Sequence, residues 1–125
     1  MEGPLKVLIV DDEDDLVSTL VERLEIRGVE AVGVQNGAAA IEQVEKIDFD
    51  VVVLDVKLKG EDGVEVMKNI KRRKPELPVI LLTGHMSQEA SENGFKAGAI
   101  DYIIKPIDLD QLLRKMREAI ALYKK

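Results

Sequence analysis

The stretch Asp50-Val-Val-Val-Leu-Asp55 constrains this chain more than any other. Four consecutive apolar residues run straight into a carboxylate, and turn-forming residues follow as far as Gly63. An unbroken, valine-rich run of this length predicts a strand covered on both faces, as in parallel sheets packed between helices. Asp55 then stands where the strand leaves the sheet. In open α/β sheets the carboxyl ends of the strands border the ligand crevice, so a lone carboxylate is delivered to the place where chemistry is usually done.

Other segments supply the rest of such a sheet. Residues 5–10 form a buried run ending in Asp11-Asp12-Glu13-Asp14-Asp15. The helix that follows places Leu16, Leu20 and Leu24 on one face beside Val17 and Val21, and its acidic start suits the positive end of a helix dipole. Residues 29–34 alternate weakly, as an edge strand does. Asn36 is placed to cap a helix over residues 37–46. A third helix after Gly63 buries Val66, Met67 and Ile70 and ends in Lys71-Arg-Arg-Lys74, a basic run explained by the negative helix end, with Pro75 as the stop. Residues 78–83 form a fourth strand, with proline at its first position. Ser87 is placed to cap a helix ending near Gly98. Residues 100–104 form a fifth strand, and Asp108 with Gln111 has capping-box spacing at the head of a last helix. Strands separated by helices pair in parallel through right-handed crossovers. The expected fold is α/β: a flavodoxin-like, doubly wound (βα)5 sheet of strand order 2-1-3-4-5.

Residues 1–125 read as a single domain, with no output module after the last helix. The chain has no cysteine, which excludes disulfides and thiolate chemistry. It carries 18 basic against 24 acidic residues, a formal net charge of -6. That balance argues against direct nucleic-acid binding, which needs basic groups to neutralise phosphates. No apolar run approaches a membrane span, and Met1-Glu-Gly-Pro4 lacks signal-peptide regions. A cytoplasmic setting is expected.

The residues at the carboxyl ends of the buried strands are Asp11 and Asp12, Asp55, Thr83 and Lys105. In the order 2-1-3-4-5 the first and third strands are neighbours, so three carboxylates crowd one crevice. They cannot all stay ionised cheaply without a cation. An all-oxygen site with room for water suits Mg²⁺ or Mn²⁺. Thr83 adds a hydroxyl and Lys105 a positive point charge. A hydroxyl, an ammonium and a divalent cation around one carboxylate describe a phosphoryl-transfer site, with Asp55 as the nucleophile that carries an acyl phosphate.

Taken together, Val10-Asp-Asp-Glu13, Leu54-Asp-Val56 with its downstream Gly63, Leu82-Thr-Gly84 and Ala97-Gly-Ala-Ile-Asp-Tyr-Ile-Ile-Lys-Pro106 resemble the receiver domain of two-component response regulators. The resemblance implies that Asp55 accepts a phosphoryl group from a histidine kinase or phosphotransfer protein in a phosphorelay. It implies that Asp11, Asp12, Asp55 and the backbone carbonyl of Lys57 hold the metal, and that Thr83 and Lys105 bind the phosphoryl oxygens. Tyr102 resembles the family's switch aromatic, which turns inward as the threonine closes on the phosphate. A cis Lys105-Pro106 bond is also implied. Such a domain catalyses its own phosphorylation without being a turnover enzyme, and its affinity for an output partner switches on the face of the fourth helix, fifth strand and fifth helix. Lys57 and His85 would tune the lifetime of the phosphoryl group, and His85 has no catalytic role.

The chain departs from the family at Lys59, where proline is frequent, and at Gly94, inside the fourth helix. The fourth helix, with few apolar residues and a glycine, is expected to be the soft element. Gly94→Ala should stabilise this helix and bias whichever state keeps it better ordered. The enzyme alternative is a small phosphohydrolase with an aspartyl nucleophile. Such enzymes commonly place a second acid where this chain has Lys57. A flavodoxin-like cofactor binder is a third reading, and it would want a phosphate-cradling loop where this chain has four acids after Asp11.

Overall fold

A computed structural model describes residues 3–123 of the chain. Residues 1, 2, 124 and 125, part of the expected single domain, lie outside the described residues. The elements run β1 (Lys6–Val10), α1 (Asp14–Ile26), β2 (Glu30–Val34), α2 (Gly37–Lys46), β3 (Val51–Asp55), β4 (Lys57–Leu58), β5 (Glu61–Asp62), α3 (Gly63–Arg73), β6 (Val79–Thr83), α4 (Gln88–Ala97), β7 (Asp101–Ile104) and α5 (Leu109–Tyr123). Five strands form a parallel sheet of order β2-β1-β3-β6-β7, which is the expected 2-1-3-4-5 order of the long strands. The addition is a small antiparallel hairpin of β4 and β5, in a segment that reads from sequence only as a turn.

Side chains alternate across each strand, so the apolar runs fill two layers. Ile9, Val53, Ile80 and Leu82 pack with Leu20 and Leu24 of α1 and Leu112 and Met116 of α5. Leu8, Val52, Leu54 and Leu81 pack with Val44 of α2 and with Val66, Met67 and Ile70 of α3. The strands β3 and β6 are buried along their whole length. The register pairs Val10 with Leu54, Asp55 with Leu82 and Thr83 with Ile104, so the carboxyl ends of the strands finish side by side.

The caps explain where the helices start. Asn36 accepts from the Ala39 N–H, Asp62 from Val64 and Ser87 from Ala90. Asp108 accepts from the Asp110 N–H, one residue short of the capping-box bond expected with Gln111. The helix α3 buries Val66, Met67 and Ile70, whereas Gly94 is the buried residue of α4. At the opposite end of the molecule from the strand tips, Lys71 Nζ donates to the carbonyls of Pro75 (2.9 Å) and Leu77 (3.0 Å) and to the Tyr123 hydroxyl (3.1 Å), and it lies over the Tyr123 ring.

The expectation that Gly94→Ala stabilises α4 is corrected by the packing. A Cβ at position 94 would overlap the Tyr102 hydroxyl and lie 2.7 Å from Tyr102 Cζ and 3.0 Å from Leu81 Cδ1. Tertiary overlap outweighs helix propensity at this site.

Candidate functional site

The loop after β1 and the end of β3 bring Asp11, Asp12 and Asp55 together. One carboxylate oxygen from each lies within 4.8 Å of the others. Asp11 is fully buried, Asp55 nearly so and Asp12 half-buried. Lys105, one residue beyond β7, reaches across the strand ends. Its Nζ lies 2.7 Å from Asp55 Oδ2, 2.7 Å from Glu13 Oε1 and 2.9 Å from Asp11 Oδ2. The Lys105-Pro106 peptide is cis.

The electrostatics follow from this crowding. Burial raises the Asp11 carboxyl above its ordinary value, and the Lys105 ammonium beside it only partly offsets this. For Lys105 burial acts to lower the value, but the carboxylates of Asp55, Glu13 and Asp11 around it outweigh this and hold the ammonium above the usual lysine range. Asp11 Oδ2 is in ion-pair range of Lys105, and this buried oxygen has no hydrogen-bond partner. An all-oxygen cluster with an unsatisfied buried carboxylate oxygen fits a hard divalent cation such as Mg²⁺.

Asp55 is held from two sides. Its Oδ1 accepts the Lys57 N–H at 2.8 Å, and its Oδ2 accepts from Lys105. Thr83, at the end of β6, is buried, but its hydroxyl is turned into its own loop: it donates to the His85 carbonyl at 2.7 Å and accepts the His85 N–H at 3.2 Å. Tyr102 is inward. Its hydroxyl donates to the Ala90 carbonyl (2.9 Å) or that of Ser91 (3.3 Å), and its ring meets Phe95 edge-on at 5.1 Å. A groove of about 910 Å³ passes Lys57, Thr83, Met86, Ala90 and Tyr102, linking the strand ends to α4.

Two contacts escaped the sequence reading: the side chain of Glu13 on Lys105, and the backbone of His85 on Thr83. Glu13 is the N-cap of α1, yet its side chain makes no capping bond and goes to Lys105 instead. The signal was its place directly after the acidic pair. His85 holds the Thr83 hydroxyl through its backbone, for which its residue type gives no signal.

The family model described as the response regulator receiver domain matches residues 7–117. The chain belongs to the response regulator receiver family. This receiver domain is 36% identical over 115 residues to the transcriptional regulatory protein ZraR of Klebsiella oxytoca, a match covering 92% of this chain and 26% of ZraR. It is 34% identical to the DNA-binding transcriptional regulator NtrC of Escherichia coli K12 over 117 residues, 94% of this chain and 25% of NtrC. The receiver domain thus spans about a quarter of the length of these curated relatives. Among solved structures it resembles a CheY-like response regulator receiver domain protein of Methanospirillum hungatei JF-1, with TM-score 0.91, 28% identity and 98% of each chain covered. It also resembles NtrX of Brucella abortus in complex with ADP, with TM-score 0.89, 30% identity, 97% of this chain and 28% of NtrX. Among the described residues no helix is long and apolar enough to cross a membrane.

Proposed function

We propose that this receiver domain is a cytoplasmic, phosphorylation-controlled switch in which Asp55 accepts a phosphoryl group from a histidine kinase or phosphotransfer protein. The observation that carries the reading is the setting of Asp55: nearly buried at the end of the central strand, within the three-carboxylate cluster, with Oδ2 2.7 Å from Lys105 Nζ. Asp11, Asp12, Asp55 and the Lys57 backbone carbonyl would hold Mg²⁺ or Mn²⁺, which offsets the charge of the carboxylates and of the incoming phosphoryl oxygens.

The transfer is a displacement at phosphorus. An Asp55 carboxylate oxygen forms the new P–O bond, the bond from phosphorus to the donor's imidazole nitrogen breaks, and that nitrogen keeps the electron pair. Lys105 keeps its charge throughout and moves a hydrogen bond from the Asp55 carboxylate to a phosphoryl oxygen. Thr83 must exchange the His85 carbonyl for another phosphoryl oxygen, and this exchange connects the chemistry to the loop leading into α4. The output face is α4, β7 and α5, where Phe95 and Ile104 are exposed at 47% and 51%. The acidic balance of the domain disfavours direct nucleic-acid contact.

Acetyl phosphate with Mg²⁺ tests the reading. The protein should gain a labile phosphoryl mass, with phosphate released no faster than that label decays, and Asp55→Asn should abolish the gain while leaving the fold intact. Normal labelling of that variant at another residue would remove Asp55 from the role. Lys57→Ala or His85→Ala should change the decay rate of the labelled form.

A further inference from the structure

The hairpin after Asp55 is too small to hold itself in place. Its strands contribute two residues each, and an isolated hairpin is marginal in water even when longer. Its anchor is a contact between residues far apart in the chain: Glu61 Oε2 accepts the backbone N–H of Gly37 at 3.0 Å. Gly37 opens α2, and its N–H is one of the first-turn donors that a helix cannot satisfy internally. Asn36 takes another of them, that of Ala39. The first turn of α2 has no acidic residue, so the carboxylate that suits its positive end is supplied by the hairpin.

Position 37 is shaped for this contact. Gly37 is buried, and a Cβ there would overlap Glu61 Oε1 and lie 2.8 Å from Val66 Cγ2 of α3. Glu61 pairs with Leu58 across the hairpin, and the adjacent Asp62 pairs with Lys57. The Lys57 amide donates to Asp55 Oδ1. Asp62 also caps α3 through Val64, so the hairpin is fastened to α3 on one side and, through Glu61, to α2 on the other.

We infer that Glu61 is a positioning residue for phosphoryl transfer: by fastening the hairpin to the N-terminus of α2, it sets where the Lys57 backbone carbonyl meets the divalent cation. The inference rests on the proposed function, in which that carbonyl is a cation ligand.

The test uses the whole chain and Mg²⁺ itself. In metal-free protein, amide exchange at Gly37 should quicken in Glu61→Ala. The Mg²⁺ dissociation constant, measured by calorimetry on folded protein, should rise roughly three- to tenfold, at or below the usual effect of removing an outer-shell support. Glu61→Gln keeps an acceptor oxygen and should stay within about twofold of the parent. Gly37→Ala should reproduce the loss of affinity by displacing the carboxylate. With acetyl phosphate, the Mg²⁺ concentration for half-maximal labelling should rise while the rate at saturating Mg²⁺ is unchanged, a split that general destabilisation would not produce. Quicker Gly37 exchange with unaltered Mg²⁺ affinity in Glu61→Ala would reduce Glu61 to a helix cap and overturn the inference, as would unaltered Gly37 exchange or parental affinity in Gly37→Ala. A parent protein that binds no Mg²⁺ overturns the functional reading and this inference together. Normal binding by the parent with an unaffected Glu61→Ala overturns this inference alone.

Discussion

The Tyr102 hydroxyl occupies the space in which a side chain at position 94 would begin. Gly94 is therefore a seat for the tyrosine as well as a weak point in α4. The phenol oxygen donates to the carbonyl of Ala90 or Ser91, one turn back along the same helix.

Gly94→Ala should destabilise the domain. Alanine gains about 1 kcal/mol of helix propensity, but overpacking of this kind costs about 1–3 kcal/mol, so the overlap wins or the ring is expelled. Denaturant melts check the sign. In a Tyr102→Ala background the same substitution should become neutral or stabilising, because the clash is gone. A stabilised Gly94→Ala in the parent would return the glycine to a simple propensity defect.

Burial raises the Tyr102 phenol above the ordinary tyrosine value, and the Gly94 N–H offsets this only in part. The native state then keeps a proton that the unfolded chain has lost. This contribution to stability is whole below about pH 10 and is lost as pH rises through the folded value. The chain has two tyrosines, so Tyr123→Phe leaves Tyr102 alone for ultraviolet titration. Its midpoint should lie above the ordinary value and fall toward it in Gly94→Ala.

Asp12 shares the carboxylate cluster, yet among the described residues Lys105 pairs with Asp11, Glu13 and Asp55 and not with Asp12. Asp12→Ala should stabilise the metal-free protein by roughly 1 kcal/mol through relieved repulsion, and should weaken Mg²⁺ binding. Melts with and without Mg²⁺ measure both. A metal-free variant clearly less stable than the parent would make Asp12 structural.

The helix α4 should exchange its amides faster than α3 and α5. Gly94 is its buried residue, whereas α5 buries Leu112, Leu113, Met116, Ala119 and Ile120. Few buried apolar contacts mean cheap local opening. Phosphorylation should change protection over residues 87–97. Equal protection in all three helices, unaltered by the phosphoryl group, would remove α4 from the switch.

The architecture was legible because parallel strands are written as continuous apolar runs, and Asp11, Asp12, Asp55 and Lys105 follow those runs at the strand ends. What escaped depends on neighbours distant in sequence. The β4–β5 hairpin has two-residue strands, three of whose four residues are charged, with no periodicity to detect. Gly94 reads as a defect until Tyr102 is placed against it. The Thr83 hydroxyl reads as a phosphoryl ligand, but its direction is set by the backbone of His85. Glu13 sits at a capping position, and only the fold brings Lys105 near enough to draw its side chain away.

Lys71 ties the end of α3, the turn after it and the end of α5 to a single ammonium. That clamp makes one pole of the domain an anvil. Lys71→Met should therefore loosen this pole alone: amide exchange at the ends of α3 and α5 should quicken, while labelling of Asp55 by acetyl phosphate stays intact.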